Sequence, residues 1–153
     1  MNAVNPYLKQ YKKNQIETAT PEQVLILLYD GAIQYLNKAK IAIEQNDSEA
    51  CNINLVGCER IILEFMNSLD MEKGENLAKN LYRLYDYLYN TLVAANVSKN
   101  IEKIDEVLKF LQSLRETWQK AIVIANSEKK VNLVDENEYD EEGSEMGDRY
   151  DSV

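Results

Sequence analysis

Histidine is absent from all 153 residues. That removes the side chain that most often serves as general base, phosphorelay acceptor or metal ligand near neutral pH. Carboxylate-bridged metal centres in helical bundles draw on Glu-x-x-His pairs, so none can form here. Glycine is scarce, at five residues, and neither a GxGxxG nor a GxxxxGK phosphate loop occurs. Proline is rarer still, at two, so little interrupts helical stretches. The two cysteines, Cys51 and Cys58, lie ~10 Å apart if they share one helix, too far for a disulfide. They read as small apolar core residues in a reducing compartment, and as nucleophiles they would lack an imidazole partner. No apolar run approaches the ~20 residues that cross a bilayer. The N-terminal lysines Lys9, Lys12 and Lys13 are not followed by the apolar stretch of a signal peptide. Catalysis, cofactors, metals and a small-molecule substrate are therefore not expected, and the expected location is the cytoplasm.

Charge is present but unevenly placed. From Asp135 onward there are nine acidic residues and one basic, Arg149, which leaves 17 acidic and 16 basic residues before it. The body is near neutral and the acidic balance belongs to the tail. A tail of that sign repels nucleic acid and anionic lipid, and no basic patch interleaved with aromatics offsets it. Neither nucleic acid nor membrane insertion is expected.

What the chain does have is helical periodicity almost throughout. Thr20 reads as an N-cap, Pro21 as the favoured first helical residue and Gln23 as the capping-box partner. Leu25, Leu28, Tyr29, Ala32, Leu36, Ala39 and Ile43 then form one stripe, until Asn46, Asp47 and Ser48 break the helix and cap the next. Cys51, Leu55, Cys58, Ile62, Phe65 and Leu69 step 4, 3, 4, 3, 4. Leu77, Leu81, Leu84, Leu88, Thr91 and Ala95 repeat the step. Ile104, Val107, Leu111, Leu114, Trp118, Ala121 and Ala125 make the last stripe, with Ser98 or Asn100 as its cap. Helices over about 21–45, 48–70, 75–96 and 100–126, joined by short loops, describe an all-α antiparallel up-down four-helix bundle. Residues 1–17 form an N-terminal leader packing on or capping that bundle, 18–127 the bundle itself, and 128–153 a disordered acidic tail. Gly31 stands deep in a helical pattern at a cost of ~1 kcal/mol relative to alanine. A close helix approach or room for a bound backbone would account for it.

Ten tyrosines and a surplus of aliphatics exceed what one stripe per helix needs. Beside the third seam run Tyr82, Tyr85, Tyr89 and Leu92, and on the second helix Ile61, Leu63 and Met66 widen the apolar face. Such a helix is central in a larger core or offers a groove. Either the leader covers this surface, through Tyr7, Leu8, Tyr11 and Ile16, or an amphipathic client segment lies in it. Tyrosine suits the second task, burying large area with few rotors and keeping a polar tip.

Several ordered pieces resemble one family. They are Asn5-Pro6-Tyr7 with Tyr11 and Ile16, Thr18-Ala19-Thr20-Pro21, Leu28-Tyr29-Asp30-Gly31-Ala32, and Ala42-Ile43-Glu44. Ile61-Ile62 with Glu64, Leu69-Asp70, Gly74, Leu84-Tyr85-Asp86-Tyr87, Ala95-Asn96 and Leu114-Arg115-Glu116 with Trp118 complete the set. At this spacing the chain is similar to the flagellin-specific export chaperones of the FliS family. The resemblance implies a cytoplasmic chaperone for the C-terminal segment of flagellin, preventing premature polymerisation and keeping the client competent for flagellar type III secretion. It also implies docking at a component of the export gate, with Tyr7, Leu8 and Tyr11 in the leader that caps the groove or touches the gate. Tyr29, Asp30 and Gly31 match the family signature. The acidic tail is not part of that pattern. A different class of reading remains beside it: a non-enzymatic helical adaptor that uses the same groove for its own oligomerisation.

Overall fold

The computed structural model describes the backbone of residues 6–150 and their side chains except at positions 8, 15, 16, 75 and 136–150. It is all-helical over that range: α1 Pro6–Glu17, α2 Pro21–Glu44, α3 Ser48–Ser68, α4 Glu75–Ser98 and α5 Ile101–Tyr150. The sequence expectations for residues 1–5 and 151–153 lie outside the described residues.

The helix ends follow from a few side chains. Thr20 caps α2 as its sequence implied: its hydroxyl accepts from the Gln23 amide at 3.2 Å, and the Thr20 amide donates to the Gln23 side chain at 3.0 Å. The α2–α3 and α4–α5 turns use one shared device. Asn46 takes φ 55° and Lys99 φ 51°, the left-handed conformation that stops a helix and redirects its last carbonyls. The next residue then bonds back to the outgoing helix, Asp47 to the Ala42 carbonyl at 2.8 Å and Asn100 to that of Ala95 at 3.1 Å. That same residue caps the incoming helix. Asp47 accepts from the Ala50 amide at 3.0 Å and Asn100 from the Glu102 amide at 2.9 Å. Between α3 and α4, Asp70 accepts from the Glu72 and Lys73 amides, each at 3.1 Å. Gly74 ends that turn because a Cβ there would lie 2.6 Å from the Ala78 Cβ.

Chain direction makes α2, α3 and α4 neighbours, and the contact registers of each packed pair run oppositely. On α2 and α3, Gly31 lies against Ile61 and Tyr35 against Gly57. On α3 and α4, the Asn96 side chain donates to Asn52 at 2.7 Å while Phe65 meets Tyr85. The core is built from Ile26, Tyr29, Ala32, Leu36, Ala39 and Ala42 of α2; Cys51, Leu55, Cys58, Ile62 and Phe65 of α3; and Ala78, Tyr85, Leu88, Leu92 and Ala95 of α4. Ile104, Val107, Leu108 and Leu111 of α5 complete it. At its centre Phe65 stacks on Tyr29 at 4.5 Å and tilts against Tyr85 at 5.4 Å, and the two tyrosine hydroxyls share a hydrogen bond of 2.7 Å. Two ion pairs tie α5 to α2: Lys40 with Asp105 at 2.6 Å, and Arg115 with Asp30.

Two expectations are corrected. On α4 the buried row is Ala78, Tyr85, Leu88, Leu92 and Ala95, so the seam is rotated from the one expected, and Leu77 stands 63% exposed. Both rows are apolar enough to serve, and the one that brings the Tyr85 hydroxyl to Tyr29 is the one buried. The helix expected to end near 126 instead continues as α5 to Tyr150, where residues 128–150 were expected to be disordered. That stretch is rich in glutamate and holds no proline, so nothing in it forbids helical backbone. The chain divides into two compact units, Met1–Glu116 and Thr117–Val153, so the compact first unit closes before residue 127. Residues 6–17 of the leader form the helix α1, with Pro6 at its first position, where a missing amide costs nothing.

Candidate functional site

A strip of apolar surface along α3 and α4 is the feature of the first unit least explained by folding. Each step along a helix turns the side chain by ~100°. Where two registers run oppositely, that turn carries both chains to the same side of their shared seam. Ile53 follows Asn52 and Val97 follows Asn96, so both emerge together beside the Asn52–Asn96 hydrogen bond, 59% and 86% exposed. Counting along each helix, Val56 and Leu63 on α3 and Tyr82, Tyr89 and Val93 on α4 fall in the same ~100° sector. Leu63, Tyr82 and Val93 are exposed there, while Val56 and Tyr89 are half-buried. The strip is therefore aliphatic at one end and aromatic towards the other. Arg60 and Asp86, both exposed, share its sector and bring opposite charges to it. An apolar face on a small chain that its own helices leave uncovered marks a surface for a partner.

Of the seven residues that the sequence singles out for a groove, Leu63, Tyr82 and Tyr89 lie on this strip. Tyr85 and Leu92 do not: they are 2% and 0% exposed. Tyr85 was drawn inward by the Tyr29 hydroxyl, and Leu92 follows it one helical face along. Ile61 points the other way, against Gly31 of α2, and Met66 is half-buried on the core side of the α3 seam. Ile53, Val93 and Val97 were missed. Each sits next to a seam residue or a small polar one, and only the pairing of Asn52 with Asn96 reveals that they share a side.

Tyr29, Asp30 and Gly31 have separable roles. Tyr29 is wholly buried in the aromatic centre. Asp30 accepts from both Nε and Nη2 of Arg115, the second at 3.4 Å. Gly31 meets only the Ile61 Cδ1, at 3.5 Å from where its Cβ would stand, so it is not the close approach of this interface. Gly57 is: a Cβ there would lie 2.7 Å from the Tyr35 ring. In the leader, Tyr7 and Tyr11 are 86% and 66% exposed. Lys9, Lys12 and Lys13 stand exposed on the opposite face of α1. Leu8 and Ile16 have side chains outside the described set.

The titratable groups are arranged for packing more than for chemistry. Burial pushes the Cys58 thiol far up, with the Glu59 charge adding to it, and pushes the Cys51 thiol up against a smaller opposing pull from Lys99. Burial also raises the Glu59 carboxyl, the one charged residue of the core at 8% exposed. The Tyr87 hydroxyl donates to Glu106, which raises it further. Among the described residues no group of three Cys, Asp or Glu side chains could hold a metal ion. Among them, too, no helix is long and apolar enough to cross a membrane.

Comparison with known proteins bears on what such a strip is for. The sequence model of one family, described as "Flagellar protein FliS", matches residues 3–126. The flagellar secretion chaperone FliS of Bacillus subtilis is 33% identical over 118 residues, covering 77% of this chain and 86% of that protein. That of Salmonella typhimurium is 32% identical over 119 residues, covering 77% of this chain and 88% of its own. A solved structure described as a flagellar chaperone from bacteria superimposes with a TM-score of 0.63 at 22% identity, covering 76% of this chain and 98% of its own, and so shares the fold. With a match spanning most of the described helices and relatives aligned over nearly their whole length, this chain belongs to the FliS family of flagellar proteins.

Proposed function

We propose that helices α2 to α5 form an antiparallel up-down four-helix bundle, and that it works in the cytoplasm as an export chaperone. Its client is the C-terminal segment of flagellin, held as an amphipathic helix or extended strand along the α3–α4 strip. Covering that segment stops it from polymerising before export and keeps it open enough for flagellar type III secretion. The function is binding without catalysis. The observation that carries this is the uncovered strip of Ile53, Leu63, Tyr82, Val93 and Val97 on a chain of this family. A polymer-forming helix carries a matching apolar stripe, and helix-in-groove docking buries one against the other. The pattern also suits the task electrostatically, since Arg60 and Asp86 offer one charge of each sign to fix register. Tyr7, Leu8, Tyr11 and Ile16 of the leader are assigned to capping the strip or to contacting a component of the export gate.

Calorimetric titration with a peptide covering the C-terminal segment of the same organism's flagellin tests the reading. One-to-one binding with a strongly negative heat-capacity change is expected, the mark of apolar burial coupled to folding of the client. Tyr82→Ala combined with Leu63→Ala should weaken binding at least tenfold with little loss of thermal stability. Tyr85→Ala should instead lower stability, by ~3 kcal/mol or more. Absence of binding by the folded wild-type protein would overturn the proposal and leave the strip to self-association, the adaptor reading.

A further inference from the structure

Beneath the α3–α4 strip lies a charge that nothing in the described chain answers. Glu59 is 8% exposed, and its core-side neighbours Leu55, Cys58 and Ile62 are 0% exposed. Among the described residues no hydrogen bond or ion pair reaches its carboxyl, and burial raises it with no opposing cause. Arg60, next in sequence, leaves the helix ~100° further round and stands exposed. Buried carboxylates are paired as a rule, because desolvation without a partner is costly. The helix geometry says where this one opens. Val56 precedes Glu59 by about one turn and Leu63 follows it by about one, both on the strip side of α3. Seven residues are close to two turns. The step from Asn52 to Glu59 on α3, matched by that from Asn96 to Tyr89 on α4, therefore sets Glu59 opposite Tyr89. With the core side closed, the accessible edge of the carboxyl opens at the floor of the strip, between Val56, Leu63 and Tyr89.

We propose that Glu59 is the selective contact of this surface: the docked segment sets one lysine or arginine side chain over its carboxyl, among apolar residues that cover Val56, Leu63 and Tyr89. The inference rests on the chaperone reading and adds to it the chemistry that a client must carry. An apolar stripe alone is a poor match. Laid over the strip, it would take the last water from Glu59 and leave a buried charge without a partner, a larger penalty than the free chain bears. A neutral donor would meet the hydrogen-bonding need and leave the charge. A cation meets both, in a charge-assisted bond about twice as strong as a neutral one. The chain itself carries a net charge of -9, which favours a basic partner over an acidic one. Glu59 thus weakens the free fold and selects what docks on it. An acidic or wholly apolar stripe is rejected at the position where a basic residue is bound.

Calorimetry on the full-length chain and its Glu59→Gln variant tests this. Each is titrated with the C-terminal flagellin peptide and with peptides in which every lysine or arginine is replaced in turn by glutamine, a set of double-mutant cycles. Glu59→Gln keeps the shape of the side chain and should melt no lower than wild type, so a loss of affinity is not a loss of fold. It should weaken the unaltered peptide roughly tenfold or more, the penalty for leaving one member of a buried charge pair alone. One basic position of the peptide should cost as much on wild type and almost nothing on Glu59→Gln. Affinity unchanged or raised in Glu59→Gln would overturn the inference and leave the chaperone reading standing. So would basic positions that each cost the same on both chains. A wild-type chain that binds no peptide would overturn the chaperone reading and this inference together.

Discussion

Two glycines in the α2–α3 interface, Gly31 and Gly57, respond to the same substitution in opposite ways. Alanine in place of a helical glycine gains ~1 kcal/mol from the lower backbone entropy of the unfolded chain. At Gly31 the new methyl would touch only the Ile61 Cδ1, at 3.5 Å, an ordinary contact, so the gain should stand. At Gly57 it would press on three atoms of the Tyr35 ring, at 2.7, 2.7 and 3.0 Å. A ring is rigid and must move as a whole, and displacing one from a packed interface costs ~1–3 kcal/mol. The gain is cancelled or exceeded. The two variants should therefore differ by ~2 kcal/mol, or roughly 6 °C in melting temperature for a chain of this size. Urea titration with an unchanged slope would confirm that the difference lies in the native state. In a Tyr35→Leu background the obstacle is gone, and Gly57→Ala should turn stabilising; the double-mutant cycle isolates the contact. Equal stabilisation by the two alanines in the wild-type background would refute the packing argument.

Two titratable features give further expectations. Because burial raises the Glu59 carboxyl in the folded state, the fold favours its protonated form. That contribution is complete below the unfolded value of ~4.3 and is lost as pH rises through the raised folded value. Glu59→Gln should flatten this part of the denaturation-midpoint profile and raise stability at neutral pH, and a variant that kept the wild-type slope would exonerate Glu59. Cys51 and Cys58 are fully buried with raised thiols, so a thiol reagent should label both only at the rate of opening or unfolding. Rapid labelling of either in the native protein would contradict their place in the core.

Local rules were legible residue by residue. Thr20, Pro21 and Gln23 announce a helix start through hydrogen-bonding groups that lie within one turn of each other, and the structure forms those bonds. Asp47 and Asn100 cap their helices for the same reason. The α3 seam was readable because Cys51, Leu55, Cys58, Ile62 and Phe65 step 4, 3, 4, 3 with no second unbroken apolar row beside them. The α4 seam was not, because two adjacent rows are both apolar. Which one turns inward depends on Tyr29 and Phe65, which lie on other helices. Likewise Gly31, conspicuous in the sequence, has ordinary space around it, while Gly57, inconspicuous, is the one that a ring lies against.

By itself, then, the amino-acid order determined helix type, helix starts and turn positions, because these depend on neighbours within one or two turns. It also carried the family resemblance that the comparison with flagellar chaperones bears out. Only the tertiary structure decided which of two apolar rows on α4 became core, which tyrosines remained at the surface, and that Ile53 and Val97, 44 residues apart in sequence, stand on one side of one seam. Those outcomes rest on side-chain shape and hydrogen-bond reach between helices, and a period of 3.6 residues holds no information about either.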